Sequence, residues 1–284
     1  MTEIKTVKPK IYIVGSQVFH DSEMNKFLTD HFGEEGGREW LDGQGDAQQS
    51  EILVESAGRL CYMSFGKPRP GGNKEYIHHI KEMAHGSVLE HAVWNFIITG
   101  VSRTFSHELV RHRAGFGYSQ LSQRYVDESV AEYVLPDIIN EFEETKEIWM
   151  KSIQQSHEAY IKLADALYYR ITSAAHKRFL GPLPKQSYND WLRTLSPPER
   201  TQFRKEARQA ARSVLPNACE TKLFFTANAR ALRHFIELRA HPAAEVEIRT
   251  VALMLLNVMQ IEAPNIFGDY QEDGGQVFTP FRKV

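Results

Sequence analysis

Residues 141–179 are long, charged and periodic, and any fold for this chain must accommodate them as one long helix or as a hairpin of two. Shorter elements surround this segment. Ile11-Tyr-Ile-Val-Gly15 predicts a short buried strand closed by glycine, and Ala92-Val-Trp-Asn-Phe-Ile-Ile-Thr99 is the best strand candidate, β-branched or aromatic for most of its length. Helical spacing covers 49–62 and 73–84, the second stopping at Gly86. A further helix is expected from an N-cap at Ser102 to about Arg113, ended by Gly115 and Gly117. Three more helices are expected near 199–214, 228–240 and 243–261, with strand-like Leu223-Phe-Phe-Thr226 between the first two. Residues 33–49 read as a solvated loop, 67–72 as a turn, and 181–198 as an irregular Pro-bracketed segment.

The chain has 284 residues, enough for one large domain or two small ones, and its formal charge of -2 at pH 7 does not favour non-specific binding of a long polyanion. Its start shows no secretory pattern, and the apolar run 251–261 is too short to span a bilayer, so no membrane role and a cytoplasmic location are expected. Cys61 and Cys219, the only cysteines, make neither a disulfide framework nor a four-Cys zinc site, and both read as small buried residues. His78, His79, His85 and His91 lack zinc-protease spacing, so no metal is expected.

Chemistry concentrates in Arg111-His-Arg-Ala-Gly-Phe-Gly-Tyr-Ser-Gln-Leu-Ser-Gln-Arg-Tyr125. A helix ending in two arginines and a histidine enters a Gly-bearing loop that carries Ser119, Gln120, Ser122 and Arg124. Arginine forks suit phosphate oxygens, and small residues let backbone amides approach a phosphate or a planar base. Cations in a last helical turn before a glycine are also ordinary capping, and Glu108 with His112 at i, i+4 fits a helix-surface pair. Arg212 and Arg239 sit in apolar helical patterns, where Glu206, Glu237 or Glu245 could pair with them structurally.

Arg111-His-Arg113, eight intervening residues and then Ser122-Gln-Arg-Tyr125 resemble the signature of the flavin-dependent thymidylate synthases. Gly58-Arg-Leu-Cys-Tyr62 and His85-Gly-Ser-Val-Leu-Glu-His91 precede it in the family order; Ala210-Ala-Arg-Ser-Val-Leu-Pro216, Asn228-Ala-Arg230 and Leu238-Arg-Ala240 follow it. The resemblance runs over about 51–269, with variable loops at 33–49 and 181–198.

The resemblance implies an α/β (α+β) protein in which a twisted mixed or antiparallel sheet packs with long helices. It implies a single domain over 1–284, serving as the protomer of a homotetramer with shared active sites. The implied reaction is reductive methylation of dUMP to dTMP, with 5,10-methylenetetrahydrofolate as carbon donor, reduced FAD (one per subunit) as hydride donor and NADPH reducing the flavin. By the same resemblance Glu108, Leu109, Val110, Arg111, Gln120, Leu121, Ser122, Gln123, Arg124, Arg212 and Arg239 hold dUMP, and Arg239 is catalytic, favouring the ionised uracil. His85, Ser87, Arg111, His112, Arg113, Gln120, Asn228, Ala229, Arg230 and His234 hold FAD.

Two positions depart from the family pattern: Ala243 stands where a histidine often follows Arg239, and Glu108 where several relatives have glutamine. Conventional thymidylate synthases add a cysteine, typically in Pro-Cys-His, to the uracil; neither cysteine here has that context. Two other readings of the same arginines are a non-catalytic RNA- or nucleotide-binding module and a flavoenzyme methylating uracil within RNA. The mild acidity and the lack of a basic stripe with stacking aromatics count against both, so no nucleic-acid partner is expected.

Overall fold

The structure is a computed structural model, and it describes residues 4–35, 38–67, 69–180 and 187–284. The chain groups into two compact units. The larger comprises residues 9–99, 105–119 and 223–284; the smaller comprises 1–8, 100–104 and 120–222.

In the larger unit Lys10–Ser16 pairs antiparallel with Val93–Ser102, with a bulge between Ile13 and Gly15. These strands belong to a four-stranded sheet that continues through Glu220–Asn228 to Phe116–Gln120. Along Val93–Ser102 burial alternates, turning Trp94, Phe96 and Ile98 to the core; Phe96 stacks on Phe225 at a centroid distance of 4.7 Å. The Phe116–Gln120 strand corrects the expectation of a loop there. The helix before it, Arg103–Leu109, starts directly after Ser102 as expected but stops short of Arg113, because the chain tightens into turns in which Arg111 N donates to the Glu108 carbonyl and His112 N to that of Leu109.

Helices Asp21–Phe32, Gln49–Tyr62, Gly72–Glu82, Ala229–Arg239 and Val246–Glu262 are the longer helices of this unit. The expected loop at 33–49 contains a short helix, Arg38–Asp42, because Trp40 is pulled into an aromatic cluster with Phe19 and Phe65 while its indole donates to Glu55 at 2.8 Å. Helix Ala229–Arg239 is fixed at its middle. Arg233, fully buried, forks onto both oxygens of Asp269 at 2.8 and 2.9 Å, and Lys81 reaches the same carboxylate at 2.7 Å. Burial alone would raise the Asp269 pKa, but the bonds and charges of Arg233 and Lys81 hold it down at about 2.

In the smaller unit 143–180 is one helix of 38 residues, not a hairpin, and about 57 Å long at the usual rise. It packs against Pro197–Ala211 and buries Ile153, His157, Tyr160 and Thr172 along one stripe. Lys5–Thr6 pairs parallel with Glu132–Tyr133. The 181–198 segment is less irregular than expected: Ser187 caps the helix Tyr188–Thr194 and Ser196 the next, whose capping box is closed by Glu199. Gly181-Pro-Leu-Pro184 lies outside the described residues.

Candidate functional site

Three sequence-predicted residues meet at one end of helix Ala229–Arg239. Arg239, the last residue of that helix, donates from Nε to His112 Nε2 at 3.0 Å and from Nη1 to Glu108 Oε2 at 2.8 Å. Glu108 and His112 therefore serve a common partner and not a helix-surface pair. The carboxylate partner of Arg239 comes from 131 positions away in sequence, and not from Glu237 or Glu245. Glu237 instead accepts from the Tyr270 hydroxyl and the Lys283 amide, while Glu245 caps Val246–Glu262.

The hydrogen bond fixes the state of His112. A guanidinium only donates, so Nε2 is the unprotonated nitrogen and the ring proton sits on Nδ1. Burial, then the charges of Arg239 and His234, lower the His112 pKa to about 4, which keeps the imidazole neutral near pH 7. Phe235 meets its ring edge-on at 5.1 Å. The backbone beneath is clamped by Tyr118, whose hydroxyl lies 2.6 Å from the His112 carbonyl and 2.9 Å from that of Leu109. Burial pushes the Tyr118 pKa up, so the phenol keeps its donor proton.

At the other end of the helix Asn228 is the N-cap, its Oδ1 accepting from Ala231 N at 2.8 Å. Gly115 packs directly on this cap. Its φ is +73°, its carbonyl accepts from Asn228 N, and a Cβ there would stand 2.7 Å from both Ala231 Cβ and Asn228 Nδ2. Arg230, in the first turn of this helix, lines a cleft of about 320 Å³ with His85, Ser87, Gly58, Cys61 and Tyr62. Arg230 pairs there with Glu90 at 2.7 Å. Arg111 and Arg113 are exposed on the turn after Leu109, and His234 lies 6.3 Å from His112, ring to ring.

Gln120, Leu121, Ser122, Gln123, Arg124 and Arg212 belong to the smaller unit. Gln120 reaches Thr221 Oγ1 at 3.2 Å, and Leu121 N donates to the Lys222 carbonyl. Ser122 Oγ accepts from Arg124 N at 3.4 Å. Gln123 points inward, buried, with its amide 3.7 Å from Cys219 Sγ. The Arg124 guanidinium lies over Tyr125, and Arg212 opens a short turn after Pro197–Ala211. Sequence reasoning overlooked Tyr118 and Glu90. The period-2 Phe116–Tyr118–Gln120 pattern signalled the strand that aims Tyr118; nothing local to Glu90 announced its partner.

Residues 45–265 match the family described as thymidylate synthase complementing protein. A flavin-dependent thymidylate synthase of Mycobacteroides abscessus is 44% identical over 232 residues, covering 81% of this chain and 83% of the relative. That of Corynebacterium glutamicum is 42% identical over 240 residues, covering 82% and 86%. The chain belongs to the flavin-dependent thymidylate synthase family.

For a thymidylate synthase of this family the state of the thiols is informative. Cys219 is buried, and burial together with the Glu128 carboxylate pushes its pKa up to about 12, so it stays a thiol. Cys61, against expectation, is exposed: it lines the cleft from helix Gln49–Tyr62, and its Sγ donates to the Ala57 carbonyl at 3.4 Å. Among the described residues, no helix is long and apolar enough to cross a membrane.

Proposed function

We propose that the chain, acting as a single synthase domain over 1–284, reductively methylates dUMP to dTMP with 5,10-methylenetetrahydrofolate as the carbon donor. The observation that carries this reading is the presentation of Arg239. His112 and Glu108 hold the guanidinium at Nε and Nη1, while Nη2 makes no hydrogen bond among the described residues. A planar donor fixed in this way stabilises negative charge developing on a uracil ring, and being preorganised it costs no reorganisation at the moment of reaction. Glu108, Leu109, Val110 and Arg111 lie on the same turn; the resemblance adds Gln120, Leu121, Ser122, Gln123, Arg124 and Arg212 to the nucleotide's contacts.

FAD fits the residues present. Gly86 supports this: a Cβ there would stand 2.8 Å from the Val284 backbone carbon and 3.1 Å from Arg230 Nε, so the bare backbone keeps room for the Val284 main chain and that guanidinium beside the cleft. His85, Ser87 and Arg230 would hold the cofactor, with Arg111, His112, Arg113, Gln120, Asn228, Ala229 and His234; a guanidinium suits its pyrophosphate. Bound FAD, reduced by NADPH, would supply the hydride. Neutral His112 keeps a lone pair on Arg239 Nε and so holds the guanidinium plane. We further propose one FAD per subunit, a cytoplasmic homotetramer with shared active sites, and no nucleic-acid or membrane partner.

Arg239→Ala tests this reading. Flavin absorbance and NADPH-dependent bleaching should survive, while single-turnover dTMP formation falls on the order of a hundred- to a thousand-fold. Arg239→Lys should rescue only part of this, since an ammonium lacks the planar fork. Normal single-turnover rates in a folded Arg239→Ala protein would remove Arg239 from the reaction and leave it a structural partner of Glu108.

A further inference from the structure

The Glu108–Arg239 pair is neither buried nor fully solvated, with side chains 31% and 24% exposed. His112 accepts from Nε at 3.0 Å and so holds the guanidinium by a second edge. Glu108 occupies Nη1 at 2.8 Å. An anion arriving at the free Nη2 therefore shares its cation with a carboxylate already in place, and like charges a few ångströms apart disfavour one another.

We propose that Glu108 is the resident counter-ion of Arg239 and competes with the ionised pyrimidine ring for the guanidinium, thereby setting how tightly the site takes up a nucleotide whose ring can lose a proton. This rests on dUMP being the substrate. The pair satisfies Arg239 while the site is empty and lowers its attraction for unrelated anions. Only a ligand that brings further contacts of its own, and charge in the ring plane, overcomes the resident carboxylate. Glu108 acts through Arg239 as a specificity-determining residue.

Glu108→Gln separates charge from shape, because the amide oxygen still accepts from Nη1 at nearly the same length. Titration calorimetry of the flavin-loaded protein with dUMP, and separately with dCMP, reads the effect. Cytosine has no N3 proton to lose and cannot present the ring anion. The expected result is dUMP binding about tenfold tighter in Glu108→Gln, with dCMP changed by less than about twofold, since a charged acceptor holds a guanidinium about twice as strongly as a neutral one. Glu108→Asn should shift dUMP the same way, should the glutamine variant fold poorly by thermal melting. Unchanged or weaker dUMP binding overturns the proposal. Equal tightening of both nucleotides also overturns it, because relief of repulsion on the phosphate then explains the gain. A wild-type protein that neither binds nor methylates dUMP sinks the substrate assignment itself. Wild-type turnover with an unshifted variant affinity sinks only the counter-ion role.

Discussion

Replacing Gly115 by alanine tests whether the link between the Arg111–Arg113 turn and the Asn228 cap is as tight as the geometry indicates. The residue has φ +73°, and a left-handed backbone costs a non-glycine residue about 1–2 kcal/mol. The added methyl would also meet Ala231 Cβ at 2.7 Å and the Asn228 amide at 2.7 and 2.8 Å. The Ala231 methyl cannot yield and the Asn228 amide can do so only by giving up its cap, so the helix start or the Gly115 backbone must move. Overpacking of this kind costs about 1–3 kcal/mol, and losing the Asn228 cap about 1 kcal/mol more. A total of about 4 kcal/mol is a large fraction of a typical folding stability of roughly 5–15 kcal/mol, and should lower the melting temperature by about 10 °C. Because Asn228 and Arg230 move with the helix start, flavin occupancy should fall as well. Gly45→Ala is the control: φ is +55° but nothing lies within 4 Å of the new methyl, so it bears backbone strain alone. Scanning calorimetry and the flavin-to-protein absorbance ratio measure both variants. A Gly115→Ala protein that melts no lower than Gly45→Ala and keeps full flavin would refute the argument from contact.

His112 predicts a pH dependence. Its folded pKa is about 4 against an ordinary value of about 6.5, so between those values the unfolded chain binds a proton that the folded chain refuses. Stability from this group is complete above about pH 6.5 and is lost as pH falls through 4, by about 3 kcal/mol at most. Urea unfolding at several pH values should show a shallower slope for His112→Gln, which accepts but does not titrate; parallel slopes count against the assignment. Separately, a double Cys61→Ser, Cys219→Ser variant should still form dTMP, because one thiol is held protonated by burial and the other donates to the Ala57 carbonyl of its own helix. A variant that folds and binds flavin yet makes no dTMP would mean that a cysteine takes part after all.

The sequence alone determined the chemistry on offer and most of the helices. Caps, glycines and apolar spacing act within a few residues, so the helices near 49–62, 73–84, 228–240 and 243–261 are legible without tertiary contacts. The signature Arg111–Tyr125 likewise carries its family resemblance in contiguous residue types. Long-range energetics decided the rest. Trp40 makes a helix of an apparently polar loop because its ring is worth more in the aromatic cluster than in water. Phe116–Gln120 is a strand because a neighbouring strand satisfies its amides; its period-2 pattern hints at this, but Gly117 within it and Gly115 before it read equally as a loop. The 143–180 segment stays one helix because it has a partner helix along its buried stripe. Arg239 could be read as a cation needing an anion, but Glu108 stands 131 residues away and shares no pattern with it. Neutral His112 is equally invisible locally, since its proton was displaced by burial and by a guanidinium brought from a distant helix.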